Sequence, residues 1–286
     1  MTAAREPLAQ FDRAAQHAAA VVIGEYSTSF ALACRLLGRR VRVDIRSIYA
    51  LVRVADEIVD GSAAGAGLAP AAQREVLDEL EAETLSAVSS GFSGNLIVHA
   101  FARTARTCDI GPELIMPFFR AMRTDLDVSV HDRTSHDDYV YGSAEVVGLM
   151  CLKAFRNAGR AQPAPPDALL EEGARRLGRA FQDVNFLRDI AQDRDRLGRD
   201  YLAVDSTDGR TAVLDRIDAD LAAASLAVAE LPDDCRRAVT AAHDLFAELS
   251  RRLRERPGSE RVRVPDAVKA AIVARAWLGF APRRTS

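Results

Sequence analysis

The sequence predicts an all-α protein, and two observations carry that prediction. Ala, Leu, Arg and Glu dominate the 286-residue chain while alternating β-branched residues are scarce, and apolar residues recur at helical spacing along most of its length. A composition of 48% apolar and 28% charged residues is that of a chain that folds around a sizeable core. We predict ten helices, at about residues 11–37, 43–60, 71–89, 95–108, 112–127, 136–159, 167–195, 211–230, 233–255 and 265–278.

Three breaks rich in helix-interrupting residues separate these predicted helices. They are the Gly/Ala run at 61–67, the Ser/Gly run at 89–94 and the proline-rich run at 162–166. Each could be a domain linker. We interpret them as loops inside one domain, residues 1–286, because polar clusters on the second and seventh predicted helices make chemical sense only if they face each other.

Charge, cysteine usage and hydropathy exclude several classes of protein. A net charge of -3 with scattered basic residues makes nucleic acid an unfavourable partner. The N-terminus has no charged-then-apolar signal pattern, and no apolar run approaches the ~20 residues needed to cross a bilayer. We therefore expect a cytoplasmic protein, with loose attachment to a membrane surface left open. Four widely spaced cysteines agree with reduced, buried thiols: Cys34, Cys108, Cys151 and Cys235.

The second predicted helix carries a polar stripe inside an apolar sequence, Y49-A-L-V-R-V-A-D-E-I-V-D60. At ~100° per residue, its polar members fall within one narrow wedge of a helix. Because Val, Ile and Ala surround this wedge, the stripe is not simply the solvent face of an amphipathic helix. Its members are Tyr49, Arg53, Asp56 and Asp60.

The seventh predicted helix repeats this arrangement in F181-Q-D-V-N-F-L-R-D-I-A-Q-D193. Carboxylates four residues apart repel each other by a few tenths of a kcal/mol on an exposed helix, and by more where water is excluded. A single D-x-x-x-D pair is most often a solvated acidic face, but two pairs embedded in apolar sequence imply a positive charge between them. The polar members here are Gln182, Asn185, Asp189 and Asp193.

The chemistry of the two stripes suggests a site for Mg²⁺ and a diphosphate. Hard divalent cations choose oxygen ligands, and Mg²⁺ keeps waters while it takes a few carboxylates and the phosphate oxygens of a substrate. A histidine-based metal site is not supported, because the five histidines share no ligand spacing; we expect His131 and His136 at the surface or in a loop. The histidines are His17, His99, His131, His136 and His243.

Four further stretches accompany the two stripes: Y26-S-T-S-F30, Y139-V-Y-G-S-A-E-V-V-G-L-M150, R199-D-Y201 and, more weakly, R261-V-R-V-P-D-A-V-K269. Taken together in this order, the six stretches resemble the squalene and phytoene synthase family, the trans-isoprenyl diphosphate head-to-head synthases. The residues in these stretches are most similar to those of bacterial phytoene synthases. The resemblance implies a single isoprenoid-synthase-type helical bundle in which two aspartate-rich helices face each other across a central apolar cavity.

The resemblance also implies roles for individual residues. Mg²⁺, with Mn²⁺ as an alternative metal, would bind to Asp56, Asp60, Asp189 and Asp193. Those four aspartates would be catalytic together with two cavity tyrosines, Tyr49 and Tyr141. The substrate-binding residues would be Ser27, Ser29, Phe30, Arg53, Gln182, Asn185, Arg188, Arg199, Tyr201 and Arg261.

The chain departs from the family pattern at three places, one of which is L245-F-A-E-L249, where some relatives have a tyrosine. Glu145 stands where a small residue is usual, four residues after Tyr141, so that it could face the cavity or pair with an arginine. The basic segment after the second stripe is one residue longer than usual, which affects the assignment of Arg199.

The reaction that the resemblance implies is the condensation of two prenyl diphosphates through a cyclopropylcarbinyl diphosphate. We favour two geranylgeranyl diphosphates giving phytoene, as in carotenoid biosynthesis. The alternative is squalene or dehydrosqualene formation from farnesyl diphosphate, with NADPH required only for squalene. More distant alternatives are a class I terpene cyclase, whose second metal motif differs from D189-I-A-Q-D193, and a non-catalytic relative.

Overall fold

The computed structural model describes residues 5–127, 133–192, 202, 207–255 and 261–283. These residues form helices joined by short loops, with no strand among them, which confirms the all-α prediction. None of the described helices is long and apolar enough to cross a bilayer. The helices are α1 (Arg5–Tyr26), α2 (Thr28–Arg35), α3 (Arg39–Val59), α4 (Ser62–Gly65), α5 (Pro70–Ser90), α6 (Leu96–Cys108), α7 (Pro112–Asp127), α8 (Arg133–Val140), α9 (Val146–Asn157), α10 (Ala168–Gln192), α11 (Thr207–Ala229), α12 (Asp233–Glu255) and α13 (Asp266–Trp277), with a π-helical turn at Tyr141–Glu145 between α8 and α9.

Two of the predicted helices are interrupted. The helix predicted at 11–37 breaks at Ser27, which has an extended backbone and accepts a hydrogen bond from the Phe30 N–H with its side chain (3.1 Å). This is the geometry of an N-cap that starts a new helix. The helix predicted at 136–159 contains the π-helical turn Tyr141–Glu145, whose extra residue changes the direction of the side chains that follow.

Buried apolar side chains form two large clusters. One joins α3, α6, α7 and α9 and includes the fully buried Phe101, Phe118 and Phe119. The other joins α10, α11 and α12 and includes the fully buried Ile217. Phe30 packs against both clusters, and a cavity of about 1000 Å³ takes its walls from the helices of both.

Helices α9 and α10 cross at backbone contact. A Cβ at Gly148 would lie 2.4 Å from the Ala174 carbonyl oxygen, a distance that cannot be accommodated without a shift of backbone. Gly148 is therefore a packing requirement of the wall between the two helices.

We expect Gly148→Ala to destabilise the protein by about 1–3 kcal/mol, because the added methyl overpacks this crossing. Gly24→Ala is the matched control: it also lies inside a helix, and nothing lies within 4 Å of its added Cβ. That substitution should raise stability by about 0.5–1 kcal/mol through helix propensity alone. Urea unfolding followed by circular dichroism measures both, and equal midpoints for the two variants would contradict the packing argument.

Candidate active site

Residues of both polar stripes line the same cavity. Its lining includes all four members of the stripe on α3, and Gln182, Asn185 and Asp189 from the stripe on α10. Arg188 and Arg261 also line it. More than a hundred residues separate the stripes in sequence, so the fold itself joins them around the cavity.

Helix α3 ends at the first carboxylate pair. The side chain of Asp56 is 28% exposed, and Asp60 caps the helix, its backbone N–H donating to the Asp56 carbonyl (2.7 Å). Burial and then the charge of Asp60 raise the pKa of the Asp56 carboxyl well above its usual range. Arg53, with Nη1 3.9 Å from the Asp56 carboxylate, opposes that shift. The Asp56 and Asp60 carboxylates at this end of the cavity therefore repel each other.

Asp189 on α10 has two arginine partners. Arg188 Nη2 lies 2.5 Å from its Oδ2, and Arg261 Nε donates to its Oδ1 at 2.7 Å. The weakly matching stretch at 261–269 thus reaches the site through Arg261. The side chain of Ser29 and the whole of Asp193, Arg199 and Tyr201 lie outside the described residues.

Aromatic rings cover the wall between the stripes. Phe30 lies 6.3 Å from Tyr49 and 6.2 Å from Phe181, measured between ring centroids. Phe181 stacks on Phe246 at 3.8 Å. Because Ser27 caps α2 three residues before Phe30, the serine fixes where the phenylalanine enters the cavity. Phe181 and Phe246 are additions to the predicted site.

The structure corrects the placement of one predicted tyrosine. Tyr139, 5% exposed, lines the cavity and donates a hydrogen bond from its hydroxyl to the buried Asp125 (2.8 Å). Tyr141 is 36% exposed and is absent from the described lining, and the Arg175 guanidinium lies 5.6 Å from its ring centroid. Residues two apart on a helix point about 200° away from each other, so Tyr141, at the start of the π-helical turn, lies on the opposite side from the cavity-lining Tyr139.

We expect Tyr139→Phe to lower kcat by about 100-fold, the effect typical of losing a positioned hydroxyl. Tyr141→Phe, two residues away, should change kcat by less than about twofold, because its ring lies outside the cavity. Steady-state assays on the two purified variants make this comparison. The opposite ranking would restore the original assignment of Tyr141.

Glu145 pairs with arginines rather than entering the cavity. It is buried, and its carboxylate accepts from Arg175 Nε (2.7 Å), with Arg179 Nη1 at 3.6 Å. Of the two readings open from sequence, the structure supports the ion pair. The glutamate therefore joins the π-helical turn to α10.

His136 does not lie at the surface, contrary to expectation. It is buried, its Nε2 lies 3.3 Å from Asp183 Oδ1, and its ring packs at the edge of Phe186. Asp183 is fully buried on α10 and also pairs with Arg216 (2.8 Å). The histidine is therefore buried against a polar partner that lies far along the chain. His131 lies outside the described residues.

The residues at the polar end of the cavity fit a hard divalent cation. Asp60 and Asp189 lie at the C-terminal ends of α3 and α10, where the helix dipole favours positive charge. No three His, Cys, Asp or Glu side chains gather into a complete metal site in the described part of the chain. Mg²⁺ needs no such cage, because it binds through one or two carboxylates together with waters and substrate phosphates.

Comparison with known proteins defines the class. The family model described as squalene/phytoene synthase matches residues 23–211, and the chain belongs to the squalene/phytoene synthase family. It is 30% identical over 271 residues to the 15-cis-phytoene synthase of Paracoccus sp. (strain N81106 / MBIC 01143), covering 87% of this chain and 86% of that protein. It is 29% identical over 213 residues to the phytoene synthase of Mycobacterium tuberculosis (strain ATCC 25618 / H37Rv), covering 68% and 65%.

Solved structures agree on the fold. A dehydrosqualene synthase in complex with a ligand superposes with a TM-score of 0.78 at 21% identity, over 93% of this chain and 96% of that chain. Squalene synthase HpnC from Alicyclobacillus acidocaldarius gives a TM-score of 0.73 at 20% identity, over 85% and 94%. The predicted family and helical fold class are therefore confirmed.

Proposed function

We propose that this protein condenses two molecules of geranylgeranyl diphosphate head to head to phytoene, through a cyclopropylcarbinyl diphosphate. The observation that carries the choice of substrate is the length of the cavity. Its lining follows α10 from Asp189 to Leu170, a span of about 28 Å at ~1.5 Å per residue. That length accommodates an extended C20 chain with its diphosphate at the aspartates.

Small side chains keep the deep part of this cavity open. Ala174 lines it from α10 and Ala224 lines it from α11, while Gly173 lets the two helices meet, since a Cβ there would lie 2.1 Å from the Ala227 Cβ. A larger residue at position 174 or 224 would fill the space that the last isoprene units of a C20 chain need. The 15-cis-phytoene synthase of Paracoccus sp., similar over most of the chain, supports the same choice.

The polar end is proposed to hold the diphosphates. Mg²⁺ would be bound by Asp56, Asp60, Asp189 and Asp193, and when bound it neutralises negative charge on the departing diphosphate. Arg53 and Arg188 would contact diphosphate oxygens directly. Arg261 forms an ion pair with Asp189 and would be able to contact a diphosphate oxygen from the same position.

The aromatic wall is proposed to protect the carbocation. Phe30, Tyr49 and Phe181 place ring faces between the stripes, where they exclude water and attract positive charge. Gln182 and Asn185 lie between this wall and Asp189 along α10 and would orient the second substrate beside the first. The Tyr139 hydroxyl, held by Asp125 (2.8 Å), enters the same space.

The test supplies purified protein and Mg²⁺ with geranylgeranyl or farnesyl diphosphate, with and without NADPH, and determines product mass. We expect a C40 hydrocarbon from geranylgeranyl diphosphate, independent of NADPH. A C30 product alone would replace the substrate with farnesyl diphosphate, and NADPH dependence would then separate squalene from dehydrosqualene. A cyclised product or no diphosphate release would overturn head-to-head condensation.

A further inference from the structure

Arg53 contacts three side chains at the polar end of the cavity. Its guanidinium carbon lies 4.5 Å from the ring centroid of Tyr26, the last residue of α1. Nη2 pairs with the carboxylate of Glu57, and Nη1 lies 3.9 Å from that of Asp56. Nε is buried and has no hydrogen-bond acceptor in the described part of the chain. The guanidinium is therefore held in place while one of its donors is still unsatisfied.

Two neighbouring carboxylates on α3 compete for Arg53. Asp56 and Glu57 follow it by three and four residues, so both lie on its side of the helix. Glu57 forms the hydrogen-bonded pair, whereas 3.9 Å to Asp56 is too long for a hydrogen bond. A guanidinium paired with Asp56 would occupy oxygens proposed to bind Mg²⁺ and would use its own donors. Glu57 therefore keeps Arg53 apart from Asp56.

Glu57 is fixed in turn by the start of α4. Its second carboxylate oxygen accepts a hydrogen bond from the Ser62 hydroxyl. The chain reaches Ser62 through Gly61, whose φ of +151° favours glycine. Both Glu57 oxygens are thus bonded to protein groups, and the residue is not among the described residues that line the cavity. Glu57 therefore has the contacts of a supporting residue and not those of a metal ligand.

Tyr26 covers the guanidinium of Arg53 with an aromatic ring. An aromatic face attracts positive charge, and the planar guanidinium stacks well on it. Tyr26 lines the cavity and is 50% exposed, so its replacement should disturb the core little. The ring and the Glu57 carboxylate together leave the guanidinium few other positions.

We propose that Glu57 and Tyr26 are positioning residues, which hold the Arg53 guanidinium toward the substrate diphosphate and away from Asp56. A cation that is already in position binds an anion without first breaking another contact. Glu57 is itself negative and by charge alone would repel a diphosphate, so its favourable effect acts through Arg53. The proposal rests on the proposed function for one point, the identity of the ligand as a diphosphate.

The first test is Glu57→Gln, which keeps the length of the side chain and removes its charge. The probe is inorganic diphosphate with Mg²⁺, titrated into the full chain by calorimetry without prenyl substrate. If charge alone mattered, loss of a carboxylate near the site would strengthen anion binding. We expect the dissociation constant to rise about tenfold instead, because the freed guanidinium turns to Asp56. Unchanged or tighter binding would overturn the role of Glu57.

A double-mutant cycle with Arg53 separates positioning from a general structural role. In an Arg53→Gln background, Glu57→Gln should change the dissociation constant by less than about twofold, because no guanidinium is left to position. A structural role would give the same loss in both backgrounds, and that result would contradict the proposal. Circular dichroism checks that each variant keeps its helical content.

A pair of Tyr26 variants tests the proposal independently of Glu57. Tyr26→Phe is the conservative variant, which keeps the ring and should bind diphosphate within about twofold of the natural chain. Tyr26→Leu removes the ring and should raise the dissociation constant about fivefold. Equal binding by the two variants would show that the ring does not position Arg53.

The outcome for these residues is distinguishable from that for the reaction. No diphosphate binding by the natural chain would overturn the proposal, while product mass still tests the reaction separately. Diphosphate binding that depends on Glu57, in a protein that forms no hydrocarbon, would retain the positioning residues and reject the reaction. Hydrocarbon formation with unchanged diphosphate binding by Glu57→Gln would retain the reaction and reject the positioning residue.

Discussion

We expect Asp56→Asn to reduce kcat/KM at least about 1000-fold, because it removes a carboxylate proposed to bind Mg²⁺ at the departing diphosphate. The same substitution should stabilise the metal-free protein. Burial and the neighbouring Asp60 raise the pKa of Asp56, so its ionised form costs folding free energy that the neutral amide does not. Activity and stability should therefore change in opposite directions.

The stability gained by Asp56→Asn should depend on pH in a definite direction. A carboxyl group whose pKa is raised in the folded protein stabilises it at pH values below the unfolded-state pKa of about 4. That contribution is lost as the pH rises through the folded-state value. The stability difference between Asp56→Asn and the natural chain, measured by urea unfolding without metal, should be larger at neutral pH than at pH values near 4.

Asp189→Asn is the matched comparison. It should lower activity as strongly, but it should destabilise the metal-free protein, because Arg188 and Arg261 lose their charged partner (2.5 and 2.7 Å). Excess Mg²⁺ with diphosphate should raise the unfolding midpoint of the natural chain and of neither variant. Near-normal turnover in either variant would contradict the proposed metal sites.

The sequence was sufficient to predict the fold class and the two polar stripes. Both depend on helical periodicity, which is local and which α3 follows from Tyr49 to Asp56 and α10 from Gln182 to Asp189. Periodicity failed where the backbone departs from the α-helix. The cap at Ser27 divides α1 from α2, and a π-helical turn interrupts the helix predicted at 136–159.

Burial of polar residues was the second limit of prediction. His136 is buried against Asp183, 47 positions away in the chain, and no local pattern signals that contact. Nothing in the sequence of α7 distinguishes Asp125 from its other acidic residues. Only the structure shows that Asp125 accepts a hydrogen bond from Tyr139. The depth of the cavity is likewise a property of how α10 and α11 pack, and therefore chain-length preference could not be derived from motifs.

We expect Ala174→Phe to change substrate chain length from C20 to C15. Ala174 lines the cavity about 22 Å from Asp189 along α10, at ~1.5 Å per residue. A phenyl ring there would occupy the space proposed for the end of a geranylgeranyl chain, while a farnesyl chain ends nearer to the aspartates. The kcat/KM for geranylgeranyl diphosphate should fall at least about 100-fold relative to that for farnesyl diphosphate.

The control for this change is Leu169→Phe, which adds a ring on the solvent side of the same helix, where the leucine is exposed. Its ratio of C40 to C30 products should match that of the natural chain. Ala174→Phe could instead lower the activities with geranylgeranyl and farnesyl diphosphate equally while keeping its helical content. That result would show that the deep end of the cavity does not determine substrate chain length. A ratio of products shifted toward C30 in Ala174→Phe would show that the geranylgeranyl chain reaches this depth. The two substrates have identical diphosphates, so a ring far from the reacting carbons can discriminate between them only by contact with the longer chain.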